Sequence, residues 1–354
     1  MQWHILVLHL WAWLGFCIPK HVRLVTELQD LLAIVESAED GSWKALPTVF
    51  PQVTFQMLAD HFLSLPGGKR FAVNIGARDG RDHDPVYPLF EQGYAGLAIE
   101  AEPRWHDVLA KNLAQVNSSE QVSIAIQRVS PVNLEVLFRK FRVPRDFEAL
   151  KIDIDSIDLP ILQTILRSGY SPKILMIEVN HDILPPFQFH LEYDPQCECR
   201  DQRGAYGASV DAVFREAFLR GYSLIAMEFF NPNSSCPYCE HNMWFVRNDR
   251  LGRSIESPLV SWRGMVRMFW AQLARLDCLH VGRHMGMCPR RQLRELFQEL
   301  GGTNASWPLA RMSLHAAQHP DFSIHYASFW RSRLEYPYAC SKSCSFSVGV
   351  TRMD

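Results

Sequence analysis

Phe71-Ala-Val-Asn-Ile-Gly-Ala-Arg-Asp-Gly80 decides how this chain folds. It reads as a short apolar strand running into a turn that holds Gly76 and Gly80. Further on, Gly96-Leu-Ala-Ile-Glu-Ala-Glu-Pro103 reads as a second apolar strand, tipped by the carboxylate of Glu100. A strand, a glycine turn, a helix and a second strand ending in an acid make the nucleoside-binding half of a doubly wound α/β sheet. In such a sheet the turn lets a ligand approach the backbone, and the acid accepts hydrogen bonds from ribose hydroxyls.

Outward from this stretch, strand and helix patterns alternate as α/β folds require. Strands are expected at 71–76, 96–101, 122–129, 149–154 and 174–179. Helices are expected near 84–92 and over 104–116, 133–141 and 159–168. After a long connection, a helix over 208–221 and strands at 223–229 and 242–248 close the domain. Upstream, residues 21–38 carry apolar positions at helical spacing, and a second helix over 54–65 is stopped by Pro66-Gly67-Gly68. Beyond 250 the alternation ends. Residues 262–276 and 290–300 read as helices, Gly301-Gly302 closing the latter, and the rest shows no repeating pattern. The organisation expected is an apolar segment over 1–20, a helical cap over 21–66, an α/β domain over 67–249 and a mostly helical extension over 250–354.

The glycine spacing selects the nucleoside. A dinucleotide turn is G-x-G-x-x-G, whereas this one is Gly76-Ala-Arg-Asp-Gly80, with no third glycine to admit a pyrophosphate. The shorter turn suits S-adenosylmethionine (SAM), which carries a sulfonium and a methionine moiety in place of phosphates. Asn74-Ile-Gly-Ala-Arg-Asp-Gly80 resembles the first SAM motif of the FkbM-like methyltransferases, usually an acidic residue, any residue, then Gly-Ala-Asn-Asp-Gly. Four later stretches resemble the same family in order. They are Val143-Pro-Arg-Asp-Phe-Glu-Ala-Leu-Lys-Ile-Asp-Ile-Asp155, Ile177-Glu-Val-Asn180 with Pro185-Pro186, Tyr206-Gly-Ala-Ser209, and Asn242-Met-Trp-Phe-Val-Arg247. The resemblance implies a class I SAM-dependent methyltransferase fold: a doubly wound, mostly parallel seven-stranded sheet closed by an antiparallel pair. It does not extend into 250–354.

The resemblance also implies where the chemistry lies. Asn74, Gly76, Asp79, Gly80 and Glu100 would hold SAM, with Glu100 on its ribose. Asp153 and Asp155 end the fourth strand, and Glu178 and Asn180 end the fifth, with His181 next. Ligands of doubly wound sheets sit beyond those strand ends. Methyl transfer to a hydroxyl needs an in-line arrangement, dry surroundings and a base for the proton. Asp153 is the first choice for base or orienting carboxylate and His181 the second; Asp155, Glu178 and Asn180 line the acceptor side. A helix-capping role for Asp153 is the plainer alternative, set behind because strand-end acids in an apolar sheet are costly without a partner. For His181 the catalytic and structural readings weigh equally. Asp153, Glu178 and Asn180 also offer oxygen ligands to a hard cation, but the family is not marked by a metal and the metal-free reading is preferred.

Composition bounds the setting. The chain has 354 residues, 47% hydrophobic and 21% charged, with a net charge of −2, so no nucleic acid or anionic membrane is expected as partner. Residues 250–354 are net +7 and residues 1–249 net −9, which suits docking of one on the other. The apolar start, Met1–Ile18, is short for a stable membrane span and suits a secretory signal, although a charged beginning is missing. Sequons at Asn117, Asn233 and Asn304 and nine cysteines lean the same way, towards a secretory-pathway lumen or a secreted protein. Removing Cys17 with a signal leaves eight, an even number. Cys197, Cys199, Cys236 and Cys239 are expected as disulfides there, or as zinc ligands if the protein is cytoplasmic.

The expected activity is SAM-dependent O-methylation of a hydroxyl on a sugar, glycan or secondary metabolite. The acceptor and the oligomeric state stay open. Asn74 for the family's acid, Ser156 for its glycine and the unassigned region 250–354 support a rival, a non-catalytic SAM-fold module retained for binding a glycan or protein; Asp82-His83-Asp84 after the turn is a further departure from the family pattern.

Overall fold

The structure, a computed structural model, describes residues 22–25, 48–51, 53–63, 70–82, 84–116, 122–181, 183, 185–195, 207–228, 241–273 and 346–350. Seven strands form the main sheet: β3 (Phe71–Ile75), β4 (Ala95–Glu100), β5 (Val122–Ile126), β6 (Asp146–Ile152), β7 (Ser171–Glu178), β9 (Tyr222–Glu228) and β10 (Asn242–Arg247). Their spatial order is β5-β4-β3-β6-β7-β10-β9. All neighbours pair parallel until β10, which runs antiparallel to both β7 and β9. The expected sheet is therefore present: doubly wound, mostly parallel and seven-stranded.

The strands read as apolar runs because both of their faces are covered. Between them run α2 (Tyr87–Glu91), α3 (His106–Leu113), α4 (Leu134–Lys140), α5 (Asp158–Arg167) and α6 (Val210–Leu219). Leu89, Phe90, Leu109, Leu137, Phe138, Ile161, Leu162 and Val213 are buried against the sheet. The chain lays down β3, β4 and β5 outward in one direction, then returns to place β6 on the other side of β3. That reversal makes the carboxyl ends of β3 and β6 the switch point of the sheet, where a crevice opens in doubly wound folds.

Several elements depart from expectation. Residues 21–38 read as a helix, but Val22–Val25 is a strand, β1, paired parallel with β2 (Thr48–Pro51). Val-Arg-Leu-Val suits both periods, and a partner strand supplying ladder hydrogen bonds decides between them. The second cap helix forms as α1 (Phe55–Phe62), started by Thr54, whose hydroxyl accepts from Met57 N at 3.1 Å. Within the long connection lies another strand, β8 (Phe187–Leu191), paired antiparallel with β11 (Phe346–Val350). The extension thus contributes a strand as well as α7 (Trp262–Leu273). Met265, Val266 and Phe269 of α7 are buried in the same core as the sheet, and its Trp262 Nε1 donates to Asp211 Oδ1 on α6. The apolar start, the sequons, all nine cysteines and the helix expected over 290–300 lie outside the described residues. Among the described residues no helix is long and apolar enough to cross a membrane.

Candidate functional site

The bend after β3 is built to turn sharply against its neighbours. Gly76 has φ +84°, and a Cβ there would lie 1.7 Å from the Asp153 carbonyl oxygen, so only glycine lets β3 pass this close to the end of β6. Gly76 N and Ala77 N both donate to Ile99 O at 3.0 Å, tying the bend to β4. Glu100 completes the tie: Oε2 accepts from Arg78 N at 2.7 Å and Oε1 from Glu102 N at 2.8 Å. Each of its oxygens keeps a further lone pair for a ligand hydroxyl. Asp79 closes the turn on itself, its Oδ1 accepting from Arg81 N and Asp82 N at 3.1 Å. Gly80, at φ +69°, sits against Leu109. Five of the residues singled out in the sequence thus meet in one place: Asn74, Gly76, Asp79, Gly80 and Glu100.

Beneath the bend lies a buried ion cluster. Lys151 faces Asn74 in the β3–β6 ladder, and its Nζ donates to Gly76 O at 2.8 Å. The same ammonium pairs with Asp153 Oδ2 at 3.2 Å. Burial alone would lower Lys151, but the charges of Asp153 and then Asp84 outweigh it and hold the ammonium above its usual value. Asp84 arrives from the loop before α2; its Oδ1 accepts from Val86 N at 2.9 Å and its Oδ2 from Asn74 Nδ2. Burial pushes Asp84 up despite Lys151 nearby. Asn74 Oδ1 is left buried with no hydrogen-bond partner. Asn74 and Asp84 thus form a buried amide–carboxyl pair beside Lys151.

The acceptor side forms where β6 and β7 end side by side. Asp155 has φ +52° and is exposed. Asp158 turns back on that loop, Oδ1 accepting from Ile154 N at 2.9 Å and Oδ2 from Ser156 N at 3.0 Å. Burial pushes its carboxyl up to about 7 against those two donors. Glu178 is 8% exposed, and its Oε2 is buried without a hydrogen bond. Burial, then the charges of Asp153, Asp155 and Asp158, raise it well above the carboxylate range. Asn180 is fully buried at the bridge to Ser209. The His181 ring lies against that of His241, centroids 3.8 Å apart and planes tilted by 42°, and burial lowers it to about 4.

Lys151 belongs to the site and sequence reasoning missed it, although a cation in the strand Ala149-Leu-Lys-Ile152 requires a counter-charge. Asp158 follows the strand-end acids in sequence, and Asp84 stands in the departure after the turn; neither carries a sequence signal for the partner it meets. Among the described residues, no group of three or more His, Cys, Asp or Glu side chains is arranged to hold a metal ion.

No family model matches the chain, and no curated protein does. Among solved structures, the glycopeptide N-methyltransferase MtfA is similar over 55% of this chain and 94% of its own, at 14% identity and a TM-score of 0.32. TrmK of M. capricolum, solved with S-adenosyl-homocysteine, is similar over 80% of this chain and 98% of its own, at 10% identity and a TM-score of 0.38. An uncharacterized protein of Listeria monocytogenes serotype 4b covers 89% of this chain with 96% of its own, at 11% identity and a TM-score of 0.36.

Proposed function

We propose that this chain is a SAM-dependent methyltransferase acting on a hydroxyl of a sugar, glycan or secondary metabolite. The observation that carries the reading is the join at the switch point of the sheet, where the carboxylate of Glu100 holds the Gly76–Gly80 bend. The residues fit SAM on three counts. Gly76 lets the bend turn sharply at φ +84° against the end of β6, which sets the short turn that suits SAM. Asn74 Oδ1 is a buried acceptor awaiting a donor, which the ligand's ammonium supplies. The carboxylates at the ends of β6 and β7 outnumber the one ammonium, Lys151, that faces them, which favours a cationic ligand.

Bound there, SAM supplies an electrophilic methyl group on a sulfonium. Gly76, Asp79 and Gly80 shape its seat, and Glu100 accepts from its ribose hydroxyls. Asp153, kept in place by Lys151, orients the acceptor hydroxyl, and Asp155 and Asn180 border the acceptor's side. His181, lowered to about 4 and lying against His241, stays neutral near pH 7 and serves packing. A secretory-pathway setting with paired cysteines remains part of this reading.

Calorimetry with SAM and with NAD tests it: SAM is expected to bind and NAD not. Glu100→Ala should weaken SAM at least about tenfold, since hydrogen bonds to a charged group contribute about 1.5–3 kcal/mol. Unchanged affinity in that variant would overturn the pocket assignment. A binding module without catalysis is favoured by Asn74 in the acid's place; it would bind SAM yet form no S-adenosylhomocysteine with any hydroxylated acceptor.

A further inference from the structure

Five carboxyl groups gather around the ends of β3, β6 and β7, and most have defined partners. Asp84 accepts from Val86 N and Asn74, Asp158 from Ile154 N and Ser156 N, and Asp153 pairs with the ammonium of Lys151. Asp155 is exposed on the loop between them. Glu178 differs. Its Oε2 is buried and accepts no hydrogen bond, the one carboxylate oxygen among the described residues in that condition. The groups facing it are Asp153, Asp155 and Asp158 from β6 and the loop into α5, and Lys151 from β6. Across the ladder Asn242 of β10 is its partner, and the rings of His181 and His241 lie against each other beside the same strand ends.

A buried carboxylate oxygen with no hydrogen-bond donor is costly to ionise. Burial and the three neighbouring carboxylates accordingly raise Glu178 well above an ordinary carboxyl, which favours its acid form. A cation placed beside it reverses the balance. Resting on the SAM reading above, we propose that Glu178 is the proton acceptor of the transfer: it releases its own proton when the sulfonium enters and takes the acceptor's proton when the methyl leaves.

The step balances. The acceptor oxygen forms its bond to the methyl carbon, the carbon–sulfur bond breaks with its electron pair kept on sulfur, and the O–H proton passes to the Glu178 carboxylate. One positive and one negative charge vanish together. Glu178 ends protonated, the form that burial and its carboxylate neighbours favour, and its proton goes to solvent when the next sulfonium binds. Asp153 is a poorer acceptor for that proton because gaining it would break the ion pair with Lys151. His181 is poorer because burial resists its charge.

Calorimetry of the full chain with SAM and with S-adenosylhomocysteine, in buffers of different ionisation enthalpy between pH 5 and 8, decides the matter. In wild type, SAM binding should release protons that S-adenosylhomocysteine binding does not. The SAM-to-product affinity ratio should rise with pH, by about tenfold for each unit by which the sulfonium lowers the Glu178 carboxyl. In Glu178→Gln the extra release should disappear and the ratio become flat, with S-adenosylhomocysteine still bound. Equal proton release for the two ligands in wild type overturns the role, whether or not the variant folds. Extra release that survives in a folded Glu178→Gln overturns it too. Failure of both ligands to bind strikes the SAM reading itself, and this role with it.

Discussion

Lys151 carries the largest consequence of any single side chain here. Its ammonium touches the bend through Gly76 O and the acceptor side through Asp153, with Asp84 and Glu178 also acting on it. Lys151→Met would take a counter-charge from the buried Asp84 and from Asp153, whose side chain is 36% exposed, so the loss of stability falls mainly on Asp84. The sign with pH follows from the neighbours. Asp84 and Glu178 are raised above ordinary carboxyls, so in the variant they relieve the loss by taking up protons at pH 5 but must ionise or stay strained at pH 8. Urea unfolding should therefore show a larger deficit for Lys151→Met at pH 8 than at pH 5. An equal deficit at both would mean that Lys151 acts by packing alone.

Among the elements, the joint between β8 and α6 shows how a motif residue can be structural. Ser209 is the N-cap of α6, its hydroxyl accepting from Ala212 N at 3.3 Å. The same Oγ accepts from Phe189 N at 2.9 Å and donates to Phe187 O at 2.8 Å, all of it buried. Asn180 N donates to Ala208 O at 2.7 Å, so this joint also closes the end of β7. Ser209→Ala should lower stability by about 2–4 kcal/mol, from a lost cap and buried groups left unpaired. SAM affinity measured on the folded variant should stay within about twofold of wild type, well below the roughly 1.4 kcal/mol that separates a factor of ten. A tenfold loss of affinity with unchanged stability would move Ser209 into the binding site.

For the whole molecule, the crevice joins parts distant in sequence: the bend at 76–80, the end of β4, the end of β6 and the end of β7. On the proposed reading, a ligand seated across them would hold the core sheet together, and binding to the folded state alone would stabilise it by mass action. At a free SAM concentration one hundred times Kd, unfolding should be opposed by about 2.7 kcal/mol more. The check is a thermal melt with SAM, with S-adenosylhomocysteine and with NAD, in which the first two raise Tm and the third leaves it alone. The described part of the extension would share in that gain, because α7 buries Met265, Val266 and Phe269 in the same core.

How much was legible in the sequence depended on whether the cause was local. Apolar runs buried on both faces, such as Gly96–Ile99 and Ile174–Ile177, announce parallel strands, and the glycine bend and strand-end acid announce a close join between two of them. Those patterns placed the strands and brought Gly76 and Glu100 to one place, while the seven-stranded order came from the resemblance and not from periodicity. What was not local was not legible. Val22–Val25 became a strand because Thr48–Pro51 pairs with it, and residues 187–191 did so because Phe346–Val350 lies alongside. The partners of Lys151 and the pairing of Asn74 with Asp84 were settled only by the meeting of segments in space. Local pattern sets which face of an element is buried; which charge a buried group meets is decided only when the chain has folded, since burial makes a charge costly and leaves its partner to be supplied by whatever segment packs there.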